Sequence, residues 1–353
     1  MATVLVTGAS GYIGRFLVKA LLERGDSVFV LLRRPEAQAP LLRAWLQGLG
    51  VDAAGLAAVQ GDLALPGTGI APPDWARMRA VTRIYHSGAL FGWNLAAQQA
   101  RAVNVSGAVS LLETAAANLA LERFVQVSGY MLTLPGHLAA LGIAGDGAAT
   151  DWEAVYRATG AYEASKLEAH FAVKRAAAQL DVPLTVVHPA TLAGHGASGA
   201  LSEGQEMART LDELAAGRLP VVPGGAGYRL PLVSMDYLAA FMAGVADAPE
   251  TAGREFLLAD AASPALKTVL GWAAAVMGRR GPVLAVPTPW LVRLAGWDWL
   301  SHRTGMTREK LAFLRREPLD TREADRVAAV LGLRHPPLQE VLEAVARKRV
   351  RPA

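Results

Sequence analysis

The chain contains no cysteine, so disulfides, thiolate metal sites and a cysteine nucleophile are excluded. It has no uninterrupted apolar run of bilayer length. Its most hydrophobic late stretch, Pro282–Leu300, is broken by Pro287, Pro289, Arg293 and Asp298. The first residues, Met1–Thr7, enter directly on an apolar run with no basic segment before it. No secretory leader is therefore expected, and a cytoplasmic location is. Basic charge is modest: the formal net charge is +4, carried by scattered arginines and a tail with Arg347, Lys348, Arg349 and Arg351. Aromatics do not interleave with it, so we expect neither a nucleic-acid partner nor a membrane span. The histidines His86, His188 and His195 follow no zinc spacing and are expected to be hydrogen-bonded side chains, with no metal.

What is present is a long, apolar, punctuated chain: 353 residues, 52% hydrophobic and 19% charged. That is ample for one large α/β domain with a smaller lobe. Thr3–Thr7 is a short apolar strand. Tyr12–Arg24 carries apolar residues at Ile13, Phe16, Leu17, Ala20 and Leu21, which is helical spacing, and Gly25 ends it. Ser27–Leu32 is the next strand, completing a βαβ unit. The alternation continues through strands at Ala57–Val59, Arg83–His86, Phe124–Ser128 and Leu184–His188. Between them, helices are predicted over Ala97–Asn118 and Tyr156–Gln179. The pattern predicts a Rossmann doubly wound parallel sheet over residues 1–190 with returns near 232–260. A smaller C-terminal substrate lobe is expected over 191–353, with a helix near 205–216.

The segment Thr7-Gly8-Ala9-Ser10-Gly11-Tyr12-Ile13-Gly14 follows a strand and opens a helix. Gly8 permits the tight turn, Gly11 lets the backbone approach a diphosphate, and Gly14 lets helix and strand pack closely. The phosphates of a dinucleotide are then expected at the helix N-terminus, on free N–H groups, with Thr7, Ser10, Tyr12 and Ile13 completing the cradle. An acid at the end of the second strand would favour NAD, but the chain there reads Leu32-Arg33-Arg34. A guanidinium suits a 2′-phosphate. NADP(H) is therefore the expected cofactor, with Arg33 and then Arg34 on the 2′-phosphate. NAD(H) remains an alternative.

Tyr162-Glu163-Ala164-Ser165-Lys166 lies in a helical stretch, and residues four apart share a helix face. An ammonium beside a phenol lowers its pKa from about 10. Such a phenol can exchange a proton with a substrate oxygen while hydride moves.

Together these residues resemble the extended short-chain dehydrogenase/reductase (SDR) family, which includes the NAD-dependent epimerase/dehydratases. The resemblance covers most of the chain. It includes Gly61-Asp62-Leu63 on the adenine side, Ser87-Gly88-Ala89 on the phosphate side and Asn104-Val105-Ser106-Gly107. Phe124–Ser128, Tyr162 with Lys166, His188-Pro189-Ala190, Leu230–Asp236 and Leu319-Asp320-Thr321 also belong to it. It implies that Tyr162 is the catalytic acid/base, that Lys166 binds the nicotinamide ribose and tunes Tyr162, and that the backbone at Pro189 and Ala190 flanks the nicotinamide. Asp62, Leu63, Ser87, Gly88, Ala89 and Asn104 would line the cofactor. Within the family, Gly61–Leu63, Ile84–Ala89 and the long gap after Arg34 are closest to NADPH-dependent thioester reductases. Dihydroflavonol-type and hydroxysteroid-type reductases share many of these features. With no adenylation or carrier domain attached, a free-standing reductase is expected. A homodimer through a helix pair is a further implication.

One departure matters. The family has two adjacent Ser/Thr after the fifth strand, and here the pair is Ser128-Gly129. Ser128 is the candidate hydroxyl, with Tyr130 and Thr133 as alternatives. Losing one hydrogen bond to a developing oxyanion costs about 3 kcal/mol.

The expected function is thus an NADP(H)-dependent oxidoreductase acting on a carbonyl, alcohol or acyl thioester of an apolar small molecule. The alternatives are a nucleotide-sugar epimerase/dehydratase and a non-catalytic NAD(P)-binding protein. Phe91 and Trp93 are candidate pocket residues. Trp290, Trp297 and Trp299 are read as packing.

Overall fold

The computed structural model describes residues 1–350 except 93–94, 220, 225–227, 283 and 288–318. Trp93, Trp290, Trp297, Trp299, Arg351 and most of the 282–300 stretch lie outside the described residues. Among the described residues no helix is long and apolar enough to cross a membrane.

Contacts divide the chain into two compact units, Met1–His188 with Ala239–Phe256, and Pro189–Leu238 with Leu257–Ala353. The return to the first unit is thus 239–256, inside the expected 232–260.

The first unit is built on strands β1 (Thr3–Thr7), β2 (Ser27–Leu32), β3 (Leu56–Gln60), β4 (Arg83–His86), β5 (Arg123–Val127) and β6 (Leu184–Pro189). They pair in parallel in the order β6-β5-β4-β1-β2-β3. This is the doubly wound order, and it reverses direction between β1 and β4. The strands are short and mostly apolar or β-branched, as in a parallel sheet buried on both faces. Val4, Leu5 and Val6 of β1 are accordingly fully buried. The helix Tyr12–Glu23 buries Phe16, Leu17, Val18 and Leu21, one apolar stripe. Leu5, Ile84, Phe124 and Val186 join Leu111, Leu112 and Val173 in a single core cluster.

Two helices differ from expectation. The stretch predicted as one helix over Ala97–Asn118 is helical throughout, but its middle, Arg101–Ser106, winds as a π-helix between Ala97–Ala100 and Gly107–Asn118. The stretch predicted as one helix over Tyr156–Gln179 is two, Trp152–Thr159 and Ala161–Gln179. They break at Gly160, whose φ of 80° and ψ of 166° lie outside the helical region.

The second unit holds β7 (Thr191–Gly194), β8 (Val221–Gly224) and β9 (Leu232–Ser234). Next in the chain is β10 (Glu255–Leu258), which starts in the first unit and extends the large sheet beyond β6 as its seventh strand. Last comes β11 (Leu284–Pro287). β7 pairs with β9 and β8 with β11, both in parallel. The helix near 205–216 spans Glu206–Ala215, and its Met207, Leu211 and Leu214 pack with Val269, Leu270, Val341 and Leu342 in a separate core.

Candidate active site

The turn after β1 meets the end of β4 where the sheet order reverses. Gly8 has φ +70°, and a Cβ there would fall 2.7 Å from the Cα of Gly88. A Cβ on Gly14 would fall 2.1 Å from the Gly8 carbonyl oxygen. No side chain fits at these points, so backbone packs on backbone. The Gly11 N–H donates to Gly8 O at 2.8 Å, closing the turn. The helix that follows has Gly11 at its N-cap, no side-chain cap and no acid in its first turn. No side-chain cap thus competes with an anion for the start of this helix. Ser10 and Gly11 are exposed, and Tyr12 and Ile13 half-buried. The cradle fits the diphosphate of a dinucleotide.

Two of the expected cofactor residues spend their hydroxyls on the scaffold. Thr7 is fully buried, with Oγ1 2.8 Å from His86 Nδ1 and accepting from the Gly88 N–H at 3.2 Å. Ser87 Oγ donates to the Thr7 carbonyl at 2.8 Å. These bonds tie the ends of β1 and β4 together. Burial lowers His86 to about 3, so the ring is neutral and can accept the Thr7 proton.

Arg33 and Arg34 follow β2 directly, and both are exposed. Arg34 also caps the helix Pro35–Gln47, its N–H donating to Gln38 Oε1 at 2.8 Å. Asp62 Oδ1 accepts from the Ala64 N–H at 3.0 Å, a turn contact that leaves the second oxygen for a ligand. Leu63 packs against Gly88 and Gly107. A Cβ on Gly107 would lie 2.3 Å from the Leu63 carbonyl oxygen, which is why residue 107 is glycine. Ala89 is half-buried beside Gly88.

Asn104 differs from expectation. Its Oδ1 accepts from the Leu90 N–H at 2.6 Å, and its Nδ2 donates to Leu90 O at 3.1 Å and to Ser165 Oγ at 2.9 Å. Both amide protons are used inside the protein. Asn104, in the π-helical segment, is a strut between the loop after β4 and the helix bearing Tyr162. Such π-helical segments are frequent at functional sites.

Tyr162 and Lys166 lie in the helix Ala161–Gln179, one turn apart. Lys166 Nζ donates to the Val127 carbonyl at 2.9 Å, at the end of β5. Burial lowers Lys166 to about 8. Tyr162 moves the other way from expectation. Burial, and then the neighbouring Glu163 carboxylate, push it up to about 12. The ammonium is committed to a backbone carbonyl, so desolvation dominates and the phenol holds its proton at neutral pH. The Phe91 ring, exposed on its other side, stands edge-on to Tyr162 with centroids 4.8 Å apart.

Ser128, the residue after Val127, is buried, and its Oγ has no hydrogen-bond partner among the described residues. A buried orphan hydroxyl costs about 1–3 kcal/mol, which a ligand oxygen would recover. Of the alternatives, Thr133 Oγ1 donates to Tyr130 O at 2.7 Å, and Tyr130 is buried. At Gly129, a Cβ would fall 2.4 Å from Met131 Sδ. The thioether of Met131 thus occupies the space that a side chain at 129 would enter.

Pro189 ends β6, and the Ala190 N–H donates to Leu258 O at 2.9 Å. Of the other two histidines, His195 lies 2.8 Å from Ser198 Oγ, in the second unit. His188 joins a group that sequence reasoning missed: His170, His188 and Glu255 converge beside β6. Glu255 also pairs with Lys174. Burial alone would raise Glu255, but the His188 hydrogen bond, His170 and Lys174 outweigh it and hold the carboxyl near about 2. The only sequence signal was helical spacing: Tyr162, Lys166, His170 and Lys174 recur every fourth residue.

With this geometry in place, similarity to known proteins decides the family. An NAD-binding family described as male sterility protein matches residues 6–242. The chain belongs to the extended SDR family of NAD(P)-dependent oxidoreductases. It is 30% identical over 207 residues to the NRPS-like oxidoreductase fscA of Fusarium equiseti, covering 56% of this chain and 19% of that protein. The chain thus spans about a fifth of the length of that curated relative. In fold it is similar to the terminal R domain of the myxalamid PKS-NRPS pathway, with a TM-score of 0.75 and 21% identity over 99% of this SDR chain and 90% of that one. It is also similar to yeast methylglyoxal/isovaleraldehyde reductase Gre2 complexed with NADPH. There the TM-score is 0.70 and the identity 16%, over 99% and 98% of the two chains.

Proposed function

We propose that this SDR reduces a carbonyl or acyl thioester of an apolar small molecule with NADPH, using Tyr162 as proton donor and Ser128 as oxyanion donor. The observation that carries the reading is the end of β5. There a buried hydroxyl without a partner among the described residues follows the carbonyl that Lys166 grips at 2.9 Å. NADPH, when bound, supplies the hydride. The protein does the rest. The bare turn at Gly8 and Gly14 and the uncapped helix start hold the diphosphate. Arg33 and Arg34, with no carboxylate at the end of β2, favour a 2′-phosphate over a free ribose hydroxyl. Ser128 donates to the substrate oxygen as charge develops on it. Tyr162, protonated at neutral pH, gives its proton to the same oxygen. Lys166 keeps Val127 and hence Ser128 in place. Phe91 offers an exposed apolar wall beside the phenol.

The thioester choice is supported by the likeness to an NRPS-like oxidoreductase and to a PKS-NRPS R domain. A panel of aldehydes, ketones and acyl thioesters tests it, each assayed with NADPH and with NADH. Consumption of NADPH in preference to NADH with at least one class is expected. Stoichiometric bound NAD in the purified protein would favour the epimerase alternative and overturn the reading.

A further inference from the structure

The segment that carries Ser128 is gripped on both sides. Lys166 holds the carbonyl of Val127. On the other side, His188 Nδ1 lies 3.1 Å from the carbonyl oxygen of Gly129. The opposite ring nitrogen, Nε2, lies 2.8 Å from Glu255 Oε2. His188 is buried on β6, whereas Glu255 is exposed at the start of β10. The two ring nitrogens thus face a carbonyl oxygen on one side and a carboxylate oxygen on the other. Glu255 is in turn held by Lys174, and His170 Nε2 lies 3.6 Å away. The carboxylate thus has a lysine partner besides the imidazole. Between the two gripped carbonyls stands the buried Ser128 hydroxyl, which has no partner among the described residues.

A glycine at 129 makes this grip consequential. Where the family resemblance implies a second hydroxyl, this chain has no side chain to anchor the strand end. Glycine also leaves the backbone more freedom than any other residue. We propose that His188, fixed by Glu255, is a positioning residue that holds the Gly129 carbonyl and so aims the Ser128 hydroxyl at the substrate oxygen. The proposal rests on the assignment of Ser128 as oxyanion donor.

The two ring nitrogens can be separated by mutation. In His188→Asn the amide nitrogen stands about where Nδ1 stood, keeping the Gly129 contact and losing Glu255. In His188→Gln it stands about where Nε2 stood, keeping Glu255 and losing Gly129. The probe reaction is the aldehyde of the panel that the wild type reduces fastest. His188→Gln is expected to lower kcat about tenfold or more, as a misplaced donor does, with NADPH affinity and Tm near wild type. His188→Asn should stay within about threefold of wild type. Backbone hydrogen exchange across residues 127–132 should rise in the Gln variant and not in the Asn variant, a readout that needs no substrate. Equal losses in the two variants, or a worse Asn than Gln, would overturn the proposal. Ser128→Ala separates the underlying assignment. If kcat is unchanged in Ser128→Ala, the oxyanion-donor reading fails, whatever the order of the His188 variants. If Ser128→Ala is slow and His188→Gln slows it further by its full factor, His188 does not act through Ser128 and the proposal fails alone.

Discussion

The two halves of the candidate site are built from different materials. The nucleotide cradle is main chain: Gly8, Gly14 and Gly88 are defined by the side chains that cannot fit there. The reducing centre is side chain: Tyr162, Lys166 and Ser128 are placed by carbonyls, burial and struts contributed by distant segments. The first is tight and tolerates no added atoms. The second is a set of aimed polar groups, each of which can be removed without filling or emptying much space. Damage to the cradle should therefore appear as lost affinity for nucleotide, and damage to the centre as lost turnover.

The sharpest test of that division is Tyr162→Phe. Removing the proton donor should lower kcat by roughly 100- to 10,000-fold. NADPH affinity, read by fluorescence titration, should change little. A parallel loss of affinity would erase the distinction between the two regions. On the cradle side, Gly8→Ala forces a Cβ to within 2.7 Å of the Gly88 Cα at a left-handed φ. NADPH affinity should fall by about 100-fold, the equivalent of 2–3 kcal/mol of strain. Wild-type affinity in that variant would mean the nucleotide is held elsewhere. Arg33→Ala should raise the NADPH KM about tenfold and barely change the NADH KM, since one guanidinium–phosphate pair at an exposed site is at stake. Equal shifts for both nucleotides would remove Arg33 from the 2′-phosphate.

Two pH effects belong to the centre alone. Tyr162, pushed up to about 12, is protonated throughout the neutral range. Carbonyl reduction, which needs the proton, should be nearly flat between about pH 6 and 9. Alcohol oxidation, which needs the phenolate, should rise with pH over the same range, by up to about tenfold per unit. Rates of both directions at fixed nucleotide concentration check the slope. Lys166 is lowered from 10.5 to about 8, so between those values the unfolded chain binds the extra proton. Folding stability contributed by this group should therefore rise as pH increases from about 8 toward 10. Thermal unfolding of the wild type against Lys166→Met over that window isolates the effect, and identical pH slopes would contradict it.

The contrast also explains what could be read from residues alone. The parallel sheet was legible because strands buried on both faces leave continuous apolar runs, and β1, β2 and β4 match their expected bounds residue for residue. The cradle was legible because a backbone-defined turn must show its glycines in order. Side-chain wiring was not. Nothing in the spacing of Asn104 said that its amide would be spent on Leu90 and Ser165. The Tyr162–Lys166 spacing falls within one helix, but burial raised the phenol that a neighbouring ammonium alone would have lowered. The break at Gly160 was hidden because a lone glycine inside a helical pattern is tolerated as often as it terminates one. The His188–Glu255 contact joins residues 67 apart, beyond the reach of any local pattern.

A crystal structure with NADPH bound tests the central claim most directly. The account predicts the diphosphate on the main-chain N–H groups that open the helix at Tyr12, the 2′-phosphate at Arg33, and the nicotinamide facing the hydroxyls of Tyr162 and Ser128. A diphosphate bound away from the Gly8 turn, or a nicotinamide ring remote from Tyr162, would contradict it.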